Sequence, residues 1–153
     1  MTRRQVLMLL LMAVAVALGA ARDFLTVNLN YQIAFVEHQQ AVSYAHSLFR
    51  GWTTGWDLAD LLRLKWLIAG AMVGAMLGLC IAMAHLVFGD HRYRRALIIG
   101  FAVVAVLALV LERLSVAHPP FYGVSVKLLH VLQYPVPLFL IWAASLLPGR
   151  QSA

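Results

Sequence analysis

The run Leu64–Phe88 constrains the fold of this chain more than any other feature. Its residues are apolar except for Lys65 near the start and His85 near the end, and no acidic residue or arginine interrupts it. A helix needs about 20 predominantly apolar residues to cross the hydrocarbon of a bilayer. The run therefore predicts a central transmembrane helix, which we expect to begin near residue 58.

Small residues mark one face of this predicted helix. Gly70, Gly74 and Gly78 recur at every fourth position and so share a stripe, with Ala71 and Ala75 beside it. In water each interior glycine would cost about 1 kcal/mol relative to alanine. In lipid the backbone has no water to bond and stays helical, and small residues let another helix approach closely. The stripe predicts a glycine-zipper seam; its partner is either another helix of this chain, which we favour, or a helix of a second protein.

Composition excludes a soluble domain. Of the 153 residues, 63% are hydrophobic and 12% charged, more apolar surface than a small water-exposed fold can bury. The net charge of +6 comes from 12 Lys and Arg against 6 Asp and Glu. In a membrane protein such an excess usually sets topology. No pattern of interleaved aromatic and basic residues indicates nucleic-acid binding, so the expected partners are membrane lipid and another membrane protein.

The whole hydrophobicity pattern predicts an all-α fold. We expect a single integral membrane domain over residues 1–153, a four-helix transmembrane bundle with spans at about 6–25, 58–88, 96–116 and 123–147. Between the first two spans lies an outer segment, residues 22–57. Its residues 25–30 alternate apolar and polar, which favours a short extended piece, and an amphipathic helix follows from about Tyr31 to Trp52.

Arginines predict the orientation. Arg3 and Arg4 precede the first span, and Arg92, Arg94 and Arg95 crowd into the turn at residues 89–95. Short basic segments mark the cytoplasmic side, so we expect a multi-pass protein with both ends cytoplasmic.

The first apolar run has two interpretations. Its basic start, the stretch Val6–Leu18 and the small residues before Arg22 fit a cleaved signal peptide; a retained first helix fits as well, and we favour it. Both place residue 22 and those after it outside.

The most informative polar residues lie in the last span. Lys127, His130 and Tyr134 fall at i, i+3 and i+7 on one helical face, with Gln133 at its edge. Ionisable groups at membrane depth cost about 2.5–3.5 kcal/mol each and need a partner or a water-filled recess. We expect Glu112 and Arg113 as partners, and a kink at Pro135 and Pro137. The set is either a polar cap that satisfies itself or a recess that recognises a polar ligand or another protein.

The sequence contains no recognised motif for catalysis or for metal or cofactor binding. Cys80 stands alone and cannot form an internal disulfide. No zinc-protease, serine-hydrolase, phosphate-loop or dinucleotide motif occurs. His85 and His130 lie toward opposite ends of their spans and cannot share a metal ion. We expect no enzymatic activity, no metal and no cofactor.

Four stretches resemble a known family. They are Ala21–Leu25 (ARDFL), Leu64–Trp66 (LKW), the basic turn Asp90–Arg95 and Leu128–Pro137 (LLHVLQYPVP). Together they are similar to the small four-span membrane proteins encoded beside bacterial exosortases. The resemblance implies a bacterial inner-membrane protein that accompanies an exosortase, a membrane cysteine transpeptidase that processes sorted surface proteins.

The chain lacks the outward-facing cysteine, arginine and histidine of such a transpeptidase. By resemblance, the positions to test are Arg22, Lys65, Trp66, His130, Gln133 and Pro135. The sequence thus predicts a non-enzymatic accessory or interaction protein. The alternative is a small transporter, or a subunit that handles a lipid or quinone at a polar recess around His130.

Overall fold

A computed structural model describes residues 2–89 and 92–146, and within these ranges the chain is helical with no β-strand. Residues 90 and 91 of the predicted turn and residue 147 of the predicted last span lie outside them. The helices are α1 (Arg3–Glu37), α2 (Ser47–Trp52), α3 (Leu58–Phe88), α4 (Arg92–Leu114), α5 (Pro120–Gln133) and α6 (Val136–Ala144). The all-α prediction is confirmed.

Several of these helices are long and apolar enough to cross a membrane. α1, α3 and α4 meet that condition singly, and α5 with α6 meets it as a pair bent by 53°. The described residues thus hold three candidate spans, or four if the bent pair is one broken span.

Local chemistry fixes both ends of α3. The Asp57 carboxylate accepts a 2.8 Å hydrogen bond from the Asp60 amide, which satisfies one of the free N–H groups of the first turn. At the other end Gly89 has a φ of +68°, and its N–H donates to the His85 carbonyl at 2.9 Å. Glycine adopts this left-handed conformation without steric cost, so the helix stops there. The observed bounds match the predicted span.

α1 is longer than the sequence predicts. The extended piece at residues 25–30 is wrong, because α1 continues through it to Glu37. The amphipathic helix predicted from Tyr31 to Trp52 is split between the end of α1 and the short helix α2. The physical reason is that one face of this part of α1 is buried. That face comprises Asn28, Leu29, Gln32 and Ile33, which recur at helical spacing.

The described residues form two compact units. The first, here called the bundle unit, comprises residues 2–17, 73–89 and 92–146; the second, the hairpin unit, comprises residues 18–72. α1 and α3 each contribute residues to both units. In the hairpin unit, the end of α1, the segment before α2, α2 itself and the start of α3 share a small apolar core of Leu29, Ile33, Ala45, Phe49 and Leu61.

The bundle unit has its own core, to which all of its helices contribute. Its buried members are Ala15, Met76, Cys80, Met83, Phe101, Leu132 and Leu138. In a bilayer, lipid tails are as apolar as these side chains, so close packing rather than exclusion of water stabilises such a core. Burial of Ala15 makes α1 an integral part of this packing.

α4 and α5 pack against each other as antiparallel neighbours. The Ser125 hydroxyl, 1% exposed, donates a 2.8 Å hydrogen bond to the Ala108 carbonyl and so sets the register of the two helices. The predicted kink is confirmed: α5 ends at Gln133, Pro135 caps α6, and the two helices meet at 53°.

One end of the bundle unit collects the basic residues. The Arg4 guanidinium donates a hydrogen bond to the Val87 carbonyl, so the start of α1 lies beside the end of α3. The Phe88 and Tyr93 rings stand 4.3 Å apart, which places the start of α4 there as well. Arg3, Arg92, Arg94 and Arg95 belong to the same helix ends as these contacts.

The hydrogen bond of Ser125 to Ala108 yields a stability prediction. Ser125→Ala should lower the free energy of unfolding in detergent by about 0.6 kcal/mol, the average for hydrogen bonds between membrane helices, and by no more than about 1.7 kcal/mol. Ser115→Ala serves as the matched control, because the Ser115 hydroxyl bonds only within its own turn, to the Glu112 carbonyl at 2.6 Å. Equal losses in the two variants, measured by denaturant titration, would show that the bond between the helices contributes nothing of its own.

Candidate functional site

The predicted packing seam on α3 is uncovered. Gly70, Ala71, Gly74, Ala75 and Gly78 are all exposed. A Cβ built on any of the three glycines would meet, within 4 Å, no atom of the described residues beyond its neighbours and the adjacent backbone of α3. Within the described residues no other helix covers the stripe, so the favoured prediction of an internal partner finds no support there.

The opposite face of α3 makes the internal contacts instead. Met76, Cys80 and Met83 lie about half a turn away from Gly74 and Gly78 and are buried in the core of the bundle unit. Both faces of α3 are apolar, but the face with the larger side chains packs into the core of the bundle unit. The face with Gly74, Ala75 and Gly78 remains available to lipid or to a helix of another molecule.

The structure brings only part of the predicted polar recess together: His130 contacts Tyr134, whereas Glu112 and Arg113 lie apart from His130. Lys127 and Arg113 are exposed, Glu112 and His130 are half-buried, and Gln133 is buried. Within the described ranges the Glu112 carboxylate forms no ion pair with Lys127 or with Arg113.

The register of α4 and α5 explains this separation. Ser125 is level with Ala108, and an α-helix rises about 1.5 Å per residue. Glu112 thus lies about 6 Å on one side of the bond, and His130 about 7.5 Å on the other. Over that axial distance the two side chains cannot meet, and His130 is level with the middle of α4 rather than with the end that carries Glu112.

His130 lies beside the break between α5 and α6. Its ring meets the Tyr134 ring edge-on at a centroid distance of 5.7 Å, and its carbonyl accepts the Tyr134 amide at 2.9 Å. Pro135 and Pro137 follow directly and supply no N–H groups to continue the helix. The break therefore places the Tyr134 ring and the start of a new helix beside a histidine that is level with the middle of α4, an arrangement that can bind a polar group.

A second polar cluster, which the sequence analysis did not identify, lies in the hairpin unit. The Asn28 side-chain oxygen accepts a 2.6 Å hydrogen bond from the His46 amide, and the Asn28 side-chain nitrogen donates to the Phe24 carbonyl at 2.7 Å. The Ser43 hydroxyl donates to the Gln32 side-chain oxygen at 2.8 Å. These bonds hold the segment before α2 against the end of α1. Spacing of Phe24, Asn28 and Gln32 by four residues was the signal that could have revealed the face.

The positions suggested by resemblance are dispersed. Arg22 is buried and pairs with the neighbouring Asp23 carboxylate at 2.8 Å. Lys65 and Trp66 are exposed, Gln133 is buried, and Pro135 caps α6. They do not form one constellation within either unit.

No group of three or more His, Cys, Asp and Glu side chains in residues 2–89 and 92–146 is placed to hold a metal ion. Comparison with protein-family models, with curated proteins and with solved structures finds no match. The function is therefore inferred from the geometry of the chain itself.

The polar cluster of the hairpin unit carries a prediction. Asn28→Ala removes the acceptor of the His46 amide from a part-buried hydrogen bond and should cost about 0.5–1.5 kcal/mol. Hydrogen exchange of the amides at residues 43–46 should quicken accordingly. Asn30→Ala, an exposed asparagine on the same helix, should change both quantities little. Equal exchange rates in the two variants would contradict a role for the Asn28 bond in holding this segment.

Proposed function

We propose that this chain is an integral membrane protein that acts by binding another membrane protein, without catalysis of its own. The observation that carries the proposal is the uncovered strip of Gly74, Ala75 and Gly78 on α3. Lipid does not require such residues, since a lipid-facing helix surface is served equally well by leucine or valine. A partner helix does benefit, because small residues bring two backbones close enough to pack and to form weak hydrogen bonds.

The arrangement of basic residues supports an orientation. Arg4 lies at one end of the bundle unit with the start of α1, the end of α3 and the start of α4, and we place this end on the cytoplasmic side. Burial of Ala15 supports a first helix that is retained rather than cleaved. With α5 and α6 as one broken span, the chain crosses the membrane four times.

The resemblance to exosortase-associated proteins suggests the partner. On that basis we place the protein in a bacterial inner membrane, as an accessory of an exosortase. The lack of enzyme motifs in the sequence accords with an accessory role.

Replacing a glycine of the strip tests the proposal. Gly74→Leu should abolish co-purification of the partner from native membranes in mild detergent, because the new side chain holds the two backbones apart. The isolated protein should keep its thermal stability, since the space around Gly74 is open. Gly100→Leu is the matched control: Gly100 is also exposed with open space, but lies on α4.

Wild-type protein should retain a partner that mass spectrometry identifies as an exosortase. Unchanged co-purification in Gly74→Leu, or equal loss in both variants, would contradict the role of the strip. If mass spectrometry identifies a different partner whose co-purification also depends on Gly74, the role of the strip stands and the assignment of an exosortase as the partner is wrong.

The break beside His130 favours a second candidate function, the handling of a quinone or lipid. Discontinuous spans commonly form binding sites near the middle of the membrane, where unwound backbone supplies polar groups. A short-chain ubiquinone should then raise the melting temperature of the wild type and of His118→Ala, and leave that of His130→Ala unchanged. No shift in the wild type would remove this candidate.

A further inference from the structure

A cavity opens at the basic end of the bundle unit. Its volume is about 490 Å³, and it lies between the start of α1 and the end of α6. Thr2, Arg4, Gln5 and Ser145 supply its polar lining, and the apolar lining includes Met8 and Trp142. Neither the proposed partner interaction nor the break beside His130 involves this site.

Arg4 gives the cavity its charge. One guanidinium N–H group bonds the Val87 carbonyl, which holds the side chain in place, and a guanidinium has five such donors. The remaining donors can form hydrogen bonds with a phosphate, for which guanidinium geometry is well suited.

The other polar groups hold the shape of the cavity. The Thr2 amide donates to the Gln5 side-chain oxygen at 2.8 Å, and the Gln5 amide donates to the Thr2 hydroxyl at 3.3 Å. This reciprocal capping box fixes the first turn of α1. At the end of α6 the Ser145 hydroxyl bonds the Trp142 carbonyl. The positive end of the α1 dipole adds to the charge of Arg4.

The apolar part of the lining continues along the outside of α1. Leu9 lines the cavity and is exposed, and Val6 and Leu10 beside it are exposed as well. Trp142 is half-buried, and tryptophan is enriched at the interface between the hydrocarbon and the lipid headgroups. A cationic pocket that opens onto an apolar helix surface matches a molecule with an anionic head and hydrocarbon chains.

We propose that this cavity binds one anionic phospholipid. The phosphate sits at the Arg4 guanidinium, and an acyl chain follows Met8 and Leu9 along α1. The inference rests on the membrane location in the proposed function and is independent of any protein partner.

Native mass spectrometry of the purified chain in neutral detergent tests this site. Phosphatidylglycerol should bind about fivefold more tightly than phosphatidylcholine, the factor expected from one arginine close to an anionic headgroup. Arg4→Gln should remove that preference. Arg3→Gln should keep the lipid preference. It removes the same charge as Arg4→Gln, but Arg3 does not line the cavity.

Two further measurements distinguish binding of a lipid from binding of free phosphate, and test the site without relying on the folding of an Arg4 variant. Inorganic phosphate at millimolar concentration should not displace the lipid, because it lacks the acyl chains. In a chain with Trp52, Trp56 and Trp66 replaced by Phe, brominated phosphatidylglycerol should quench Trp142 more strongly than brominated phosphatidylcholine. This second readout requires no change at Arg4.

Equal binding of the two lipids, equal effects of Arg3→Gln and Arg4→Gln, displacement by phosphate, or equal quenching of Trp142 would each overturn the proposal. Carbonate extraction of membranes checks integration separately. A protein that stays integrated but shows no lipid preference refutes the cavity and leaves the proposed function standing.

Discussion

Hydrogen bonding of the backbone in hydrocarbon is the constraint on which this structure depends. No water is available there to satisfy an amide or a carbonyl, so each apolar run must remain helical. That constraint keeps α3 regular through three glycines that would weaken it in water. It also makes the break at Pro135 informative, because the groups released there must be satisfied by nearby residues.

The same physics explains which parts of the fold could be predicted. The bounds of α3 follow from an apolar run with an aspartate cap before it and a glycine after it. The bend between α5 and α6 follows from Pro135 and Pro137, which cannot donate to the preceding turn. In both cases a local rule suffices, since each position depends on residues within one or two turns.

The remaining errors concern which face of a helix meets another element. α3 has two apolar faces, and the sequence does not reveal that Met76 and Cys80 face the core while Gly74 faces outward. The alternation of apolar and polar residues over 25–30 predicts an extended piece, yet Asn28 and Gln32 lie on one face of the continuous helix α1 and bond the segment before α2. Pairing of distant elements decides such questions, and hydrophobic periodicity carries no information about it. The uncovered face of α3 and the lipid cavity beside Arg4 became apparent only from the structure.

The central claim is that α1, α3 and α4 cross the membrane with the arginine-rich end of the bundle unit on the cytoplasmic side. Labelling of single cysteines in a Cys80→Ala background tests it most directly. Thr2→Cys, Ser47→Cys and Ala117→Cys are each treated with a membrane-impermeant maleimide before and after permeabilisation. The account predicts that Ser47→Cys and Ala117→Cys react in intact cells and that Thr2→Cys reacts only after permeabilisation. Reaction of Thr2→Cys and Ala117→Cys from the same side would contradict it.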